Sequence, residues 1–204
     1  MPNPRSRPRP LVLALGLLLM ASALAVGIIG WRIASLRPPT FHGTAYDDLE
    51  PAPPFSLVDQ RGRRVSLQSY RGSPVLLFFG YTHCPDVCPL TLSRLARATE
   101  SLGREGEDVR IVLVTQDPAR DTPAVLGRYV SRFSPRADGL TGDSASLARA
   151  YRGYGAYAMH GGAHGMSHSA VVYGIDREGR LRVIMSQGAA EETLRDDIRT
   201  LAGL

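Results

Sequence analysis

The sequence predicts a three-layer α/β domain with a mixed β-sheet, preceded by one N-terminal transmembrane helix. Two observations lead to this fold class. An uncharged apolar segment occupies residues 11–30, and strand-like apolar segments then alternate with amphipathic helical segments. A chain of 204 residues is long enough for a membrane segment and one domain of ordinary size.

The N-terminal apolar segment would span about 30 Å as a helix, which is enough to cross the hydrocarbon core of a bilayer. Ala23 and Ala25 also fit the cleavage site of a signal peptide, but the apolar run continues to Trp31, so we favour an uncleaved anchor. Three arginines precede the segment, which places the N-terminus in the cytoplasm and the domain on the periplasmic or extracytoplasmic side of the inner membrane. The predicted organisation is a cytoplasmic N-terminus (1–10), a transmembrane anchor (11–30), a tether (31–50) and an exported domain (51–204).

The net charge of +5 comes from the flanks of this apolar segment. Residues 1–40 contain five arginines and no acidic residue, and the rest of the chain carries as many acidic as basic residues. We therefore expect no nucleic-acid partner, since such proteins concentrate positive charge on the folded domain. The chain has no lysine, which excludes Schiff-base chemistry on a lysine.

The elements of the domain follow from its apolar patterns. Residues 51–67 predict a hairpin, because two short apolar runs flank the turn sequence DQRGR. Continuous apolar runs at 74–81 and 109–115 are typical of strands that are buried on both faces. The remaining predicted elements are helices at 89–102, 123–133, 143–153 and 190–203, and a hairpin at 169–186. With right-handed crossovers this order gives a thioredoxin-like architecture with helices on both faces of the sheet.

This topology brings several reactive side chains to one edge of the sheet. The two buried strands, if parallel, end at the same edge, where α/β proteins place their sites. The strand that follows residue 168, if antiparallel to them, begins at that edge. The residues placed there by this argument are Cys84, Cys88, Asp117 and His168.

Both cysteines of the chain lie in the stretch YTHCPDVCPL, with three residues between them. A structural disulfide would close a very short loop and stabilise the fold by only about 2 kcal/mol. A redox pair is favoured more, because Cys88 lies where a helix begins and a helix N-terminus lowers a thiol pKa. A metal site is favoured most, because two thiolates and an imidazole suit Cu(I) or zinc. Zinc would need a fourth ligand, for which His164 is available.

A peroxidase function is not supported by the residues before the cysteines. The peroxiredoxin pattern places Pro and Thr at positions that Leu77 and Tyr81 occupy here. We therefore do not expect reduction of peroxide.

The stretches GYTHCPDVCP, DPARDTP and HSAVVYGID resemble three signature sequences of the Sco/SenC family, the membrane-tethered copper proteins of cytochrome c oxidase assembly. The resemblance runs from about Pro53 to the C-terminus. It implies a thioredoxin-like fold and copper, as Cu(I), Cu(II) or both, held by Cys84, Cys88 and His168. It also implies delivery to the dinuclear copper centre of subunit II of cytochrome c oxidase.

On this reading the protein is an assembly factor and not an enzyme with turnover. It would need an exported copper donor and, because oxidation of the thiols would abolish the site, an exported thiol reductant. The alternative is an exported thiol:disulfide oxidoreductase that acts on the cysteines of the oxidase copper site through a Cys84–Cys88 redox disulfide.

Other residues near the motifs have weaker signals. We expect Asp86 to cap the helix at Cys88, and Asp117 and Asp121 to act in turns and caps. Asp86 and Asp117 are also candidates for support of the copper ligands. The glycine-rich segment MHGGAHGMSH departs from the family pattern, and its candidates for an auxiliary copper loop are Met159, His160, His164 and Met166. A flexible connector explains that segment equally well.

Overall fold

The computed structural model of this protein describes residues 10–35, 39–46, 50–156 and 171–204. The chain forms two compact units, Met1–Pro39 and Thr40–Leu204.

The first unit contains helix α1, which runs from Pro10 to Ser35. The side chains described in this helix are those of residues 14–30, and all of them are exposed. Among the described residues, no helix is both long and apolar enough to cross a membrane. The transmembrane assignment of residues 11–30 therefore stays a prediction.

The second unit contains a mixed sheet with the strand order β1-β8-β7-β4-β5-β6-β2-β3 in the described part of the chain. The strands are β1 (Thr44–Ala45), β2 (Ser56–Asp59), β3 (Arg64–Ser66), β4 (Val75–Gly80), β5 (Arg110–Thr115), β6 (Ala137–Thr141), β7 (Val171–Ile175) and β8 (Leu181–Ser186). Strand β5 pairs in parallel with β4 and with β6, and the other pairs are antiparallel. The helices are α2 (Val87–Ser101), α3 (Pro123–Val130), α4 (Ser144–Tyr154) and α5 (Glu191–Ala202), with short 3₁₀ turns at Leu67–Tyr70 and Gly103–Gly106.

Two apolar clusters cover the two faces of this sheet. Side chains of β4 alternate between them, as the two-residue period of a strand requires: Leu76 and Phe78 belong to one cluster, and Leu77 and Phe79 to the other. Helices α2, α3 and α5 pack in the first cluster, and α4 packs in the second. The prediction of helices on both faces is confirmed.

The helix starts follow local rules. The Val125 N–H donates to the Thr122 hydroxyl at 3.4 Å, and Pro123 occupies the first helical position of α3, where a missing N–H costs nothing. The Ser146 N–H donates to the Asp143 carboxylate at 2.8 Å at the start of α4.

Strands β6 and β1 were not predicted. Strand β6 contains an aspartate and a glycine, both of which are poor strand formers. Tertiary contacts explain both residues in this strand. Arg110 forms a 2.7 Å ion pair with Asp138, and Leu126 packs so close to Gly139 that a Cβ there would lie only 2.8 Å from the Leu126 Cβ. Strand β1 has only two residues, which lie in the predicted tether and pair with β8.

Candidate metal centre

The cysteine loop and the loop after β5 lie next to each other. Gly80 at the end of β4 pairs in parallel with Thr115 at the end of β5. The Gln116 N–H then donates to the Gly80 carbonyl at 2.7 Å, which continues the pairing beyond the strands. The prediction that both strands end at one edge is therefore confirmed.

The two thiols are close together and shielded from solvent. Both cysteines are free, Cys84 is 8% exposed and Cys88 is fully buried. The backbone N–H of Cys88, the second residue of α2, donates to the Cys84 sulfur at 3.4 Å. The Cys88 sulfur packs against the backbone of Gly80, where a Cβ would lie only 2.8 Å away. The absence of a side chain at Gly80 therefore makes room for this thiol.

Burial determines the protonation of Cys88. It raises the pKa of the thiol to about 12, although a hydrogen bond from the Tyr81 backbone N–H favours the thiolate. The expectation that the helix start lowers this pKa is wrong for the metal-free protein, because desolvation outweighs the helix dipole. Cys88 is therefore a neutral thiol at physiological pH until a cation replaces its proton.

Asp121 connects the two loops. Its carboxylate is fully buried and accepts hydrogen bonds from the Thr82 N–H at 3.1 Å, the Thr82 hydroxyl at 2.5 Å and the Thr115 hydroxyl at 2.6 Å. The expected turn is present, because the Asp121 N–H donates to the Asp117 carbonyl at 2.9 Å, but the expected cap role is wrong, since Thr122 caps α3. Asp121 instead fixes the segment two residues before Cys84 to the end of β5.

The two predicted supporting aspartates lie further out. The carboxylate of Asp117 forms an ion pair with Arg120, whose side chain is 56% exposed. Asp86 occupies the N-cap position of α2 but makes no side-chain hydrogen bond to the helix, so the capping prediction is wrong. Its backbone carbonyl accepts from the Leu90 N–H at 3.1 Å. A supporting role for Asp86 or Asp117 toward a metal stays a prediction.

The third predicted ligand, His168, lies outside the described residues, as do Met159, His160, His164 and Met166. Strand β7 runs antiparallel to β4 and begins at Val171, at the edge where β4 ends, so that part of the argument is confirmed. Within the described ranges, no cluster of three or more His, Cys, Asp or Glu side chains could hold a metal ion. In the described part of the chain, the candidate site therefore consists of the two free thiols of Cys84 and Cys88.

Two tyrosines next to the thiols were missed by the sequence analysis. Tyr81 packs with both cysteines, and its hydroxyl hydrogen-bonds to Cys84. Tyr129 is buried in α3 with no hydrogen-bond partner for its hydroxyl in the described part of the chain. Burial, and then the charge of Cys88 and Cys84, raises the pKa of Tyr129. Both tyrosines fit apolar stripes, so the sequence carries no separate signal for them.

Residues 44–203 match the family model described as SCO1/SenC. The chain belongs to the SCO1/SenC family. The SCO2 homolog of Bos taurus mitochondria is 37% identical over 152 residues, which are 71% of this chain and 57% of the bovine protein. The SenC protein of Rhodobacter capsulatus is 38% identical over 117 residues, 57% of this chain and 53% of that protein. The chain thus spans little more than half the length of these curated relatives.

Solved structures confirm the predicted thioredoxin-like α/β fold with a mixed sheet. ScoI of Bradyrhizobium japonicum, solved with copper bound, has a TM-score of 0.65 and 36% identity over 74% of this chain and 99% of that chain. Apo Sco1 of Thermus thermophilus has a TM-score of 0.70 and 36% identity over 81% of this chain and 98% of that chain. Yeast Sco1, 31% identical, was also solved with copper bound, with a TM-score of 0.65, over 73% of this chain and 86% of that chain.

Proposed function

We propose that this protein binds copper through Cys84, Cys88 and His168 and delivers it to the dinuclear copper centre of subunit II of cytochrome c oxidase. The observation that carries this proposal is the pair of free, adjacent thiols after β4. Two relatives in the same family, ScoI of Bradyrhizobium japonicum and yeast Sco1, were solved with copper bound. Thiolates are soft ligands and suit Cu(I), and an imidazole adds the borderline donor that Cu(II) needs.

The membrane anchor is part of the same proposal. Residues 11–30 are uncharged and lie within helix α1, and arginines flank them on both sides. These features support a single-pass anchor in the inner membrane, with residues 31–50 as a tether and 51–204 as the exported copper-binding domain. An exported copper donor and an exported thiol reductant would serve the domain there.

The glycine-rich segment at 159–168 would assist loading. We propose that Met159, His160, His164 and Met166 capture copper transiently and pass it to the cysteines, since thioether and imidazole are both copper ligands. Without thiolates the loop would bind more weakly, so transfer runs toward the main site. Replacement of the four residues by Ala or Leu should slow copper loading and leave the final affinity nearly unchanged, as measured by stopped-flow loading from a buffered Cu(I) donor.

A second candidate function is a thiol:disulfide oxidoreductase. The 3.4 Å contact between the Cys88 N–H and the Cys84 sulfur favours it, because the contact holds the two thiols within one helical turn. The raised pKa of Cys88 and its complete burial make Cys84, which is 8% exposed, the thiol that would attack a substrate disulfide. Reduction of a disulfide in the oxidase subunit by the copper-free protein would support this function.

The decisive experiment is a metal titration of the reduced protein with Cu(I), Cu(II) and zinc against competing chelators. The Cys84→Ser/Cys88→Ser variant should lose tight copper binding, and His168→Ala should weaken Cu(II) more than Cu(I). His42→Ala is the matched control, because His42 is an exposed histidine outside the candidate site. Copper binding that survives loss of both cysteines would disprove the proposal. Tighter binding of zinc than of copper would favour a structural zinc site with His164.

A further inference from the structure

Two exposed apolar side chains lie on either side of Cys88 along the chain. Val87 is 38% exposed and Leu90 is 44% exposed, and both lie in the first turn of α2. In the described part of the Thr40–Leu204 unit, the third exposed large apolar side chain is Tyr46, which lies in the segment before β2. Single exposed apolar residues are common, but a pair of them beside a reactive group indicates a contact surface.

Residues of the cysteine loop also line a basic cleft. Thr82 and His83 from that loop, with Arg128, Tyr129 and Arg132 from α3 and the turn after it, line a cleft of about 600 Å³. The Arg132 guanidinium lies over the Tyr129 ring, 4.9 Å from its centroid, which holds this arginine in place.

Charge on this face is unbalanced. Arg128 and Arg132 are exposed, and neither forms an ion pair with any described residue. By contrast, the nearby Arg120 is paired with Asp117. Asp86 is an exposed carboxylate next to Val87, so the face carries two free positive charges and one negative charge. A second copy of this chain would bring two positive faces together, whereas an acidic partner would complement them.

We propose that Val87 and Leu90, with Arg128 and Arg132, form the surface on which the copper-accepting protein docks. The accepting surface would present apolar side chains around its copper ligands and carboxylates at one flank. This inference rests on the proposed function, because a thiol site that is only 8% exposed at Cys84 can pass a metal ion only to ligands that come into contact with it. An apolar centre excludes water around the transfer, and a charged rim aligns the two proteins and speeds their encounter.

The test measures Cu(I) transfer from the full chain, in nonionic detergent, to the reduced and copper-free soluble domain of oxidase subunit II. The variant Arg128→Glu/Arg132→Gln should bind copper as the wild type does and transfer it about tenfold more slowly at low salt. Its transfer rate should also depend less on ionic strength. Leu90→Gln should raise the acceptor concentration that gives half-maximal transfer.

The matched control is Arg71→Glu/Arg104→Gln. Both arginines are exposed and lack ion pairs among the described residues, and they lie in the turns that precede β4 and β5, at the edge where these strands begin. This control changes the net charge equally and should transfer at the wild-type rate. If both arginine pairs give the same rate while the wild type transfers copper, the docking surface is wrong and the proposed function stands. If the wild type binds copper but transfers none, delivery and docking both fail. If Arg128→Glu/Arg132→Gln loses binding to anionic phospholipid vesicles with transfer unchanged, the face contacts membrane and the inference is overturned.

Discussion

Replacement of Asp121 by alanine should destabilise the domain more than any substitution of an exposed aspartate. The change removes the acceptor of three hydrogen bonds, two from Thr82 and one from Thr115. Hydrogen bonds to charged groups contribute about 1.5–3 kcal/mol each, but they share one acceptor and their contributions are not additive. The cost of burying the carboxylate also offsets part of the gain. We expect the free energy of unfolding to fall by about 3 kcal/mol, a large fraction of the stability of an ordinary domain.

The assay is urea unfolding of the reduced, metal-free Thr40–Leu204 unit, which contains both apolar clusters. Asp117→Ala is the matched control, because it removes the aspartate four residues earlier, whose side chain is 13% exposed and pairs with the largely exposed side chain of Arg120. Such pairs contribute about 0.2–1 kcal/mol. Asp121→Asn should recover little, since its amide nitrogen would face hydroxyl or N–H donors.

A second measurement connects this contact to the site. Asp121 holds Thr82, and the Cys84 N–H donates at 3.3 Å to the carbonyl of Tyr81, the residue before Thr82, so a loosened loop should also weaken Cu(I) binding. If Asp121→Ala and Asp117→Ala unfold at the same urea concentration, the carboxylate does not fix the loop and the reasoning is refuted. The expected loss of stability in Asp121→Ala with unchanged copper affinity would limit Asp121 to a structural role.

Four further outcomes are expected. Gly80→Ala should lower the free energy of unfolding by about 1–3 kcal/mol and weaken copper binding, because its Cβ would lie 2.8 Å from the Cys88 sulfur. Gly188→Ala is the control and should do neither, because the atom nearest to its Cβ would be 3.7 Å away. Cys88 keeps its proton in the folded state up to a pKa of about 12, whereas an unfolded cysteine loses it near a pKa of about 8.5. The free energy of unfolding should therefore fall as the pH rises through this window, and it should fall less in Cys88→Ser. Urea unfolding at about pH 8 and about pH 10 would test this. Oxidation of Cys84 and Cys88 to a disulfide should abolish copper binding, and undiminished binding by a verified disulfide form would contradict this. Tyr129→Phe should leave stability unchanged or raise it slightly, as removal of an unpartnered buried hydroxyl costs nothing; a loss above about 1 kcal/mol would show that the hydroxyl has a partner.

The central strands were predictable because their apolar runs are short and rich in β-branched or aromatic residues. VLLFFG is buried at every position, and such a run can only lie between two packed layers. Since β4 and β5 are both of this kind and a helix connects them, parallel pairing and a shared edge are the expected arrangement. The position of the cysteine loop at that edge could therefore be derived from the sequence.

The contacts that complete the site could not be derived in this way. Asp121 lies in DPARDTP, where aspartates commonly act in turns, and only the packed structure shows that Thr82, 39 residues earlier, is its partner. Strand β6 was missed for a related reason, because its aspartate is satisfied by Arg110 from the neighbouring strand. Local patterns carry no information about partners that only the completed sheet supplies.

The pKa of Cys88 was predicted in the wrong direction because two local effects oppose each other there. The residue does lie at the start of a helix, which favours a thiolate, but its sulfur is also enclosed above Gly80, which favours the neutral thiol by more. On the proposed function this balance has a consequence for metal binding. A metal ion held by Cys88 would displace the thiol proton, so the metal affinity should fall as the pH is lowered. Return of that proton to Cys88 would then favour release of the metal to an acceptor.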